Sequence, residues 1–146
     1  MLSVDNLGNP AFISMQDVIY WKQSSGKWLK MWGCAKGIYF GGLNTFYKID
    51  CEHRVQQYNR ELGVWTGLLG GGDTKATSLA VDKAGKVYII SDYQLFRYTT
   101  TADWQKIEGL PRVKFVAARR KVYAVGGDGQ VYEKTGDKFI ATNLKA

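Results

Sequence analysis

Apolar and polar residues alternate along most of this chain in short runs, which turn-forming residues interrupt. Between residues 76 and 110, four such runs stand at Ser78–Val81, Lys86–Ile90, Gln94–Tyr98 and Trp104–Ile107. A period of two residues indicates β-strands, and turns rich in Gly or Asp separate the runs. No segment has a convincing period of 3.6 residues. The pattern therefore predicts an all-β chain.

The chain also repeats itself. Residues 2–14 align without a gap on residues 79–91, with six of thirteen positions identical. A second motif, Trp-x-x-Φ-x-Gly with Φ apolar, begins at Trp28, Trp65 and Trp104, and a degenerate copy begins at Phe139. These four aromatic residues are 37, 39 and 35 positions apart. The repeats divide the chain into four units of about 36 residues, approximately 1–34, 35–75, 76–110 and 111–146.

Units of this length, each with four short strands and a recurring aromatic residue, are typical of β-propeller blades. We therefore predict one β-propeller-like domain, residues 1–146, of four four-stranded antiparallel blades. The recurring aromatic residues are expected to fill the gaps between blades. Two modes of closure stay open: a four-bladed ring in one chain, or a homodimer whose two chains join head to tail in an eight-bladed ring. The bulky apolar residues of the first strands favour the wider ring.

The last two units carry a recognisable motif. Trp104-Gln-Lys-Ile107-Glu-Gly109, followed by Lys121-Val-Tyr123 and by Gly129-Gln-Val-Tyr132, resembles the tectonin repeat. The resemblance extends over the chain as four copies and is weakest in the second. It implies a β-propeller that acts as a non-enzymatic binding module, either a lectin for glycans or lipopolysaccharide or a protein-interaction scaffold. Tectonin propellers commonly have six blades, and this chain has only four copies.

The net charge of +7 is concentrated in the last unit. Residues 111–146 hold eight basic and three acidic side chains, and Arg119, Arg120 and Lys121 are consecutive. Such a basic patch suits phosphate groups of nucleic acid, an anionic lipid headgroup or an acidic protein surface. A solvated turn is the alternative interpretation. No nucleic-acid-binding motif accompanies the patch, so we do not expect nucleic acid to be the partner.

Three aromatic residues are further candidates for ligand binding. Trp21 shares a repeat column with Arg97 and Glu133, and Trp32 shares one with mainly polar residues. We expect both indoles to point outward and to stack against a sugar, a lipid or a protein; partial burial against the next blade is the alternative. Tyr93, in a hairpin turn, is a weaker candidate. The predicted ligand-binding residues are thus Trp21, Trp32, Tyr93, Arg119, Arg120 and Lys121.

The sequence gives little support to catalysis or to metal binding. The single histidine, His53, has no recognisable catalytic partner, and His53 with Cys51 supplies only two of the ligands that a structural zinc site needs. Asp5 and Asp82 begin similar turns, where an aspartate usually caps backbone N–H groups instead of binding calcium. We predict no enzyme activity, no cofactor and no metal.

Two observations bear on the cellular compartment. The N-terminus lacks the basic and apolar regions of a signal peptide, and no apolar run is long enough to cross a membrane. A cytoplasmic location is therefore expected, with a secreted mature form as the alternative. For that compartment, Cys34 and Cys51 are expected to be reduced thiols, although their spacing permits one disulfide.

Overall fold

Four antiparallel sheets make up the protein. The structure, a computed structural model, describes residues 1–42, 45–72, 74–99, 101 and 103–146. Blade 1 comprises β1 (Leu2–Val4), β2 (Pro10–Ile13), β3 (Ile19–Lys22) and β4 (Trp28–Met31); blade 2 comprises β5 (Ala35–Gly41), β6 (Thr45–Asp50), β7 (Val55–Asn59) and β8 (Val64–Leu68). Blade 3 comprises β9 (Ser78–Val81), β10 (Val87–Ser91), β11 (Gln94–Tyr98) and β12 (Trp104–Lys106); blade 4 comprises β13 (Val113–Ala118), β14 (Val122–Gly126), β15 (Gln130–Thr135) and β16 (Lys138–Lys145). A 3₁₀ turn, Leu69–Gly72, follows β8.

Each sheet is a simple meander in which consecutive strands pair. This confirms the prediction of an all-β fold with four four-stranded antiparallel blades. The bounds predicted for β9 and β11 agree with the structure. The sequence pattern predicts the last strand over Phe139–Thr142, whereas the observed strand is longer, Lys138–Lys145. Within the described residues, no helix is long and apolar enough to span a membrane.

The first strands of the blades lie side by side around an axis. β1 contacts β5, β5 contacts β9, and β9 contacts β13. Among the described residues, three apolar clusters lie between consecutive blades, one at each interface. We call the surface that a blade turns toward the following blade its forward face, and the opposite surface its rear face. In blade 1, Ala11, Ile19 and Met31 lie on the forward face and are buried against blade 2.

The recurring aromatic residues occupy the rear faces of the blades. Trp65, Trp104 and Phe139 pack against the preceding blade, as predicted. Trp28 is the exception, with 49% of its surface exposed, and it contacts Phe12 of its own blade. The expectation that Trp28 fills a gap between blades is therefore wrong, because among the described residues no other blade packs on the rear face of blade 1.

Backbone hydrogen bonds join the blades at the end of the molecule where the linkers run, which we call the linker end. A backbone N–H at the start of the following blade's first strand, or two residues before it, donates to a hairpin carbonyl of the preceding blade. The three bonds run from Ala35 to Asp17 at 2.8 Å, from Ala76 to His53 at 2.7 Å and from Val113 to Tyr93 at 2.7 Å. All three acceptor residues have positive φ, which turns the carbonyl toward the next blade. His53 thus has a structural role through its backbone.

The cysteines are joined, contrary to the expectation of reduced thiols. Cys34 and Cys51 form a disulfide, with Cα atoms 5.5 Å apart. The strand register explains the pairing: Ala35 lies opposite Asp50 in β5 and β6, so the residues just outside this pair meet across the sheet. The expectation of reduced thiols rested on the cellular compartment, which does not determine whether two cysteines lie opposite each other on paired strands. Closing a loop of this size contributes about 3 kcal/mol of stability.

The two outermost faces of the array are open. Leu2, Val4 and Phe12 are exposed on the rear face of blade 1, and Phe115 and Ile140 are exposed on blade 4. Among the described residues, no apolar cluster joins blade 4 to blade 1. The accessible surface is 8658 Å², about 1,100 Å² more than a compact monomer of this mass exposes. The four blades therefore form an open arc.

Candidate functional site

The structure distributes the six predicted ligand-binding residues over separate parts of the arc. Trp21 is buried between blades 1 and 2, and Trp32 lies at the outer rim of the same interface. Arg119 and Arg120 line a cleft at the end of the molecule opposite the linkers, which we call the cleft end. Lys121 is on the turn beside them, and Tyr93 is at the linker end. No single site contains all six.

Trp21 is buried, so the prediction that it points outward is wrong. Only 6% of its surface is exposed, and its ring centroid lies 5.3 Å from that of Phe46 in blade 2. Its Nε1 donates a hydrogen bond to Asp5 Oδ2 at 3.1 Å. Trp21 is therefore part of the core and is not available to a ligand.

The repeat column of Trp21 turns toward the next blade, and this explains the error. Trp21 lies 4.7 Å from the guanidinium of Arg60, in the outer hairpin of blade 2. Arg97, in the same column, lies 3.8 Å from Asp137, in the outer hairpin of blade 4. A polar member of the column, Arg97, is thus found at a blade interface as well, where its long side chain reaches the rim. Polarity in a column did not identify a solvent-facing position.

The carboxylate of Asp5 is the polar group that Trp21 contacts at the interface of blades 1 and 2. Its Oδ1 accepts the backbone N–H groups of Leu7 and Asn9 at 2.9 and 2.8 Å, and its Oδ2 accepts Trp21 Nε1. Burial opposes ionisation of the carboxyl group, but the hydrogen bonds from Asn9, Leu7 and Trp21 outweigh it and hold the pKa of Asp5 below its usual value. Asp82 caps its own turn in the same way. Both carboxylates act as turn caps, as predicted.

The cleft at the cleft end is basic along one side. It has a volume of about 1110 Å³ and lies where the first hairpins of the four blades converge. Arg119, Arg120 and Lys83 line it, so it can attract an anionic group. Lys83 was missed in the sequence, although its place in the first hairpin of blade 3 corresponds to that of Arg120 in blade 4. Lys121 does not line this cleft; its ammonium group pairs with Glu133, which raises the pKa of Lys121.

Tyr93 lies in a shallow groove at the linker end. Its ring is 47% exposed and is 4.1 Å from the guanidinium of Arg112. The groove, about 340 Å³, also includes Lys106 and Pro111. The backbone carbonyl of Tyr93 holds Val113 of blade 4, so a structural role explains the position of this residue.

Trp32 lies at a groove between the outermost strands of blades 1 and 2. Its side chain is 78% exposed, and Lys30 Nζ lies 4.5 Å from its ring centroid. Tyr58 and Trp65 of blade 2 form the opposite wall, and the groove volume is about 330 Å³. The expected exposure of Trp32 is confirmed. Tyr58 and Trp65 were missed as groove residues, because only the packing of one blade on another brings them next to Trp32.

One cluster has the composition of a metal site. Asp17, Cys34 and Cys51 bring a carboxylate oxygen and two sulfur atoms within 4.8 Å of one another. The sulfur atoms are bonded to each other, and the carboxylate of Asp17 pairs with Lys36 at 2.9 Å. Disulfide sulfur is not a thiolate ligand, so this arrangement does not fit a metal ion.

Comparisons with known proteins identify the fold. No family model matches the chain, and no curated protein matches it. Among solved structures, virginiamycin B lyase from Staphylococcus aureus is 12% identical, with a TM-score of 0.70; the match covers 99% of this chain and 54% of the lyase chain. A chain of a mitotic checkpoint complex structure is 14% identical, with a TM-score of 0.75, over 97% of this chain and 49% of that chain.

A third similar structure is PorZ, a bacterial surface component of the type-IX secretion system of Porphyromonas gingivalis. It is 15% identical, with a TM-score of 0.71, over 92% of this chain and 21% of PorZ. These likenesses show a β-propeller-type fold. The chain spans about half the length of the lyase and checkpoint chains that it matches. The structural likenesses do not distinguish tectonin repeats from other propeller repeats, so the tectonin resemblance stays a prediction.

Proposed function

We propose that this protein is a non-enzymatic binding module that binds carbohydrate in the groove at Trp32. The observation that carries the proposal is an indole left 78% exposed beside a groove whose other wall is aromatic. The apolar face of a sugar ring stacks on such a surface, and its removal from water stabilises the complex. The resemblance to tectonin-type lectins supports the same function.

The charge at the groove indicates which carbohydrate it suits. Lys30 carries an ammonium group over the Trp32 ring and can pair with a carboxylate or phosphate on the sugar. An acidic glycan or the phosphorylated part of lipopolysaccharide combines both features.

A glycan array with neutral and acidic glycans and lipopolysaccharide tests the proposal, followed by titration of the ligands that bind. Trp32→Ala is expected to weaken binding roughly tenfold or more, because it removes the stacking surface. Leu62→Ala is the matched control, since Leu62 is 71% exposed on the neighbouring turn and does not line the groove. Absence of glycan binding, or equal binding by Trp32→Ala, would contradict the proposal.

A second candidate function is protein interaction, as a subunit or scaffold in a larger assembly. It is favoured by the open rear face of blade 1 and the open forward face of blade 4, which expose large apolar residues. Pull-down from the native source separates the two functions, since free sugar would elute a lectin from its ligand but not a subunit from its partner.

A further inference from the structure

The rear face of blade 1 repeats a face that is buried elsewhere in the molecule. In the repeat alignment Leu2, Val4 and Phe12 correspond to Leu79, Val81 and Ile89 of blade 3. The blade 3 residues are 2%, 4% and 0% exposed beneath blade 2, whereas their blade 1 counterparts are 71%, 54% and 37% exposed. Blade 1 therefore has the side chains of a rear face without the blade that would cover them.

The forward face of blade 4 likewise has the side chains of a blade interface without a blade that covers them. Tyr123 pairs with Glu133 as Tyr88 pairs with Arg97 in blade 3, so the two tyrosines occupy one column. Tyr88 is fully buried against blade 4, and Tyr123 is 37% exposed. Phe115 lies on the same face and is also exposed. Each end of the arc thus presents one half of a blade interface.

We propose that a second copy of this chain covers both ends and that the two copies form a closed eight-bladed ring. Blade 4 of each copy would pack on blade 1 of the other, related by a two-fold axis. The chain superposes on 54% and 49% of the two propeller chains described above, so two copies supply the length of one such chain. Burial of the surplus surface of both copies, about 2,200 Å², reaches the range of obligate homodimers.

Hydrogen bonds at the cleft end continue across this junction. Within the chain, Asn6 Nδ2 donates to the Gly41 carbonyl at 2.8 Å, and the Lys83 N–H donates to the Arg119 carbonyl at 2.8 Å. In both bonds, a group in the first hairpin of one blade donates to a first-hairpin carbonyl of the next blade. In the ring, the Arg120 N–H of blade 4, which donates to no described residue, would in the same way donate to the Asp5 carbonyl of the second copy.

The Asp5 carbonyl can accept this bond. It already accepts the N–H of Gly8 within its own turn. Asp82, at the same turn position in blade 3, accepts both the N–H of Gly85 in its own turn and the N–H of Gly42 from blade 2. The Asp5 carbonyl therefore lies in a turn of the kind whose carbonyl oxygen accepts two N–H groups.

Charge at the rim supports a copy of this chain as the occupant. In the interface of blades 3 and 4, Arg97 lies 3.8 Å from Asp137 in the outer hairpin of blade 4. Glu133 takes the column of Arg97 in blade 4, and the outer hairpin of blade 1 carries Lys27. Glu133 already pairs with Lys121 of its own blade. At the junction Lys27 of the second copy would join this pair, with the signs reversed relative to Arg97 and Asp137. This proposal does not rest on carbohydrate binding, because the Trp32 groove lies within one copy.

Sedimentation equilibrium of the full chain, over a dilution series, tests the proposal. The wild-type mass is expected to be twice 16.4 kDa. Glu133→Lys and Lys27→Glu, each placing like charges at the junction, are expected to raise the dimer dissociation constant at least about tenfold. The double variant is expected to restore wild-type association. Both positions are at the surface, and circular dichroism checks that the single variants fold.

Three outcomes would overturn the proposal. A mass of 16.4 kDa at every concentration would exclude the ring, and a mass that keeps growing with concentration would indicate an open chain of copies. A dimer that neither single substitution weakens would use a different surface.

Discussion

At the scale of single residues, the Asp5 carboxylate connects a turn to a blade interface. It accepts hydrogen bonds from two backbone N–H groups and from the buried indole of Trp21. Among the described residues, the Asp82 carboxylate accepts only the two backbone bonds, in an equivalent turn. Asp5 Oδ2 also accepts Asn9 Nδ2 at 3.1 Å, so the two aspartates differ by the side-chain bonds from Trp21 and Asn9.

We expect Asp5→Ala to lower the free energy of unfolding by about 2–3 kcal/mol, and Asp82→Ala by about 1 kcal/mol. The larger effect arises because Asp5→Ala leaves Trp21 Nε1 buried without an acceptor. Chemical denaturation of both variants at neutral pH measures the difference. Equal losses would show that the side-chain bonds from Trp21 and Asn9 together contribute nothing.

The same carboxylate predicts a dependence on pH. Because the folded pKa of Asp5 lies below the ordinary value of 3.8, its ionised form stabilises the fold above that value. This stability is lost as the pH falls through the folded pKa. Asp5→Asn, which cannot titrate, is therefore expected to show a shallower loss of stability between pH 5 and pH 2 than the wild type.

At the scale of strands and blades, the recurring aromatic residues stabilise interfaces only where a preceding blade exists. Trp104 packs against blade 2, and its Nε1 donates to the Leu69 carbonyl at 3.3 Å. Trp28 holds the same place in blade 1 and is half-exposed. The motif is the same in both blades, and the environment decides its energetic contribution.

Trp104→Ala is expected to cost about 3–5 kcal/mol of stability, the range for a large aromatic side chain packed in a core. Trp28→Ala, measured in the Glu133→Lys variant at concentrations where that variant sediments as a monomer, is expected to cost less than about 1 kcal/mol. Thermal and urea unfolding measure both values. A cost for Trp28→Ala as large as that for Trp104→Ala would mean that blade 4 covers blade 1 within one chain.

Much of the fold at this scale is predictable from the sequence. The period of two residues gives the strands, and the alignment of residues 2–14 on 79–91 gives the blades, since both depend on local pattern. The alternation separates two faces of a strand without telling which of them a neighbour covers. That is why Trp21 was expected to be exposed. The disulfide of Cys34 and Cys51 follows from a strand register that spacing alone did not select.

The binding groove could be predicted only in part for the same reason. Trp32 stands out in the sequence because it replaces mainly polar residues in its column. Tyr58 and Trp65 belong to the next blade and to the repeat that matches the pattern least well. Their proximity to Trp32 depends on how blade 2 packs on blade 1, which no local pattern records.

At the scale of the whole molecule, four blades form an arc whose two ends are halves of a blade interface. Leu2 and Phe115 mark those ends, both more than 60% exposed. Among the described residues, no apolar cluster joins these two ends, so the four blades form an open arc.

Small-angle X-ray scattering of the Glu133→Lys variant, extrapolated to zero concentration where its copies dissociate, shows whether the four blades form an open arc. An open arc of separated end blades predicts a radius of gyration above the roughly 15 Å of a compact chain of 146 residues. A folded monomer with a radius of gyration at or below roughly 15 Å would instead show that blades 1 and 4 close on each other within one chain.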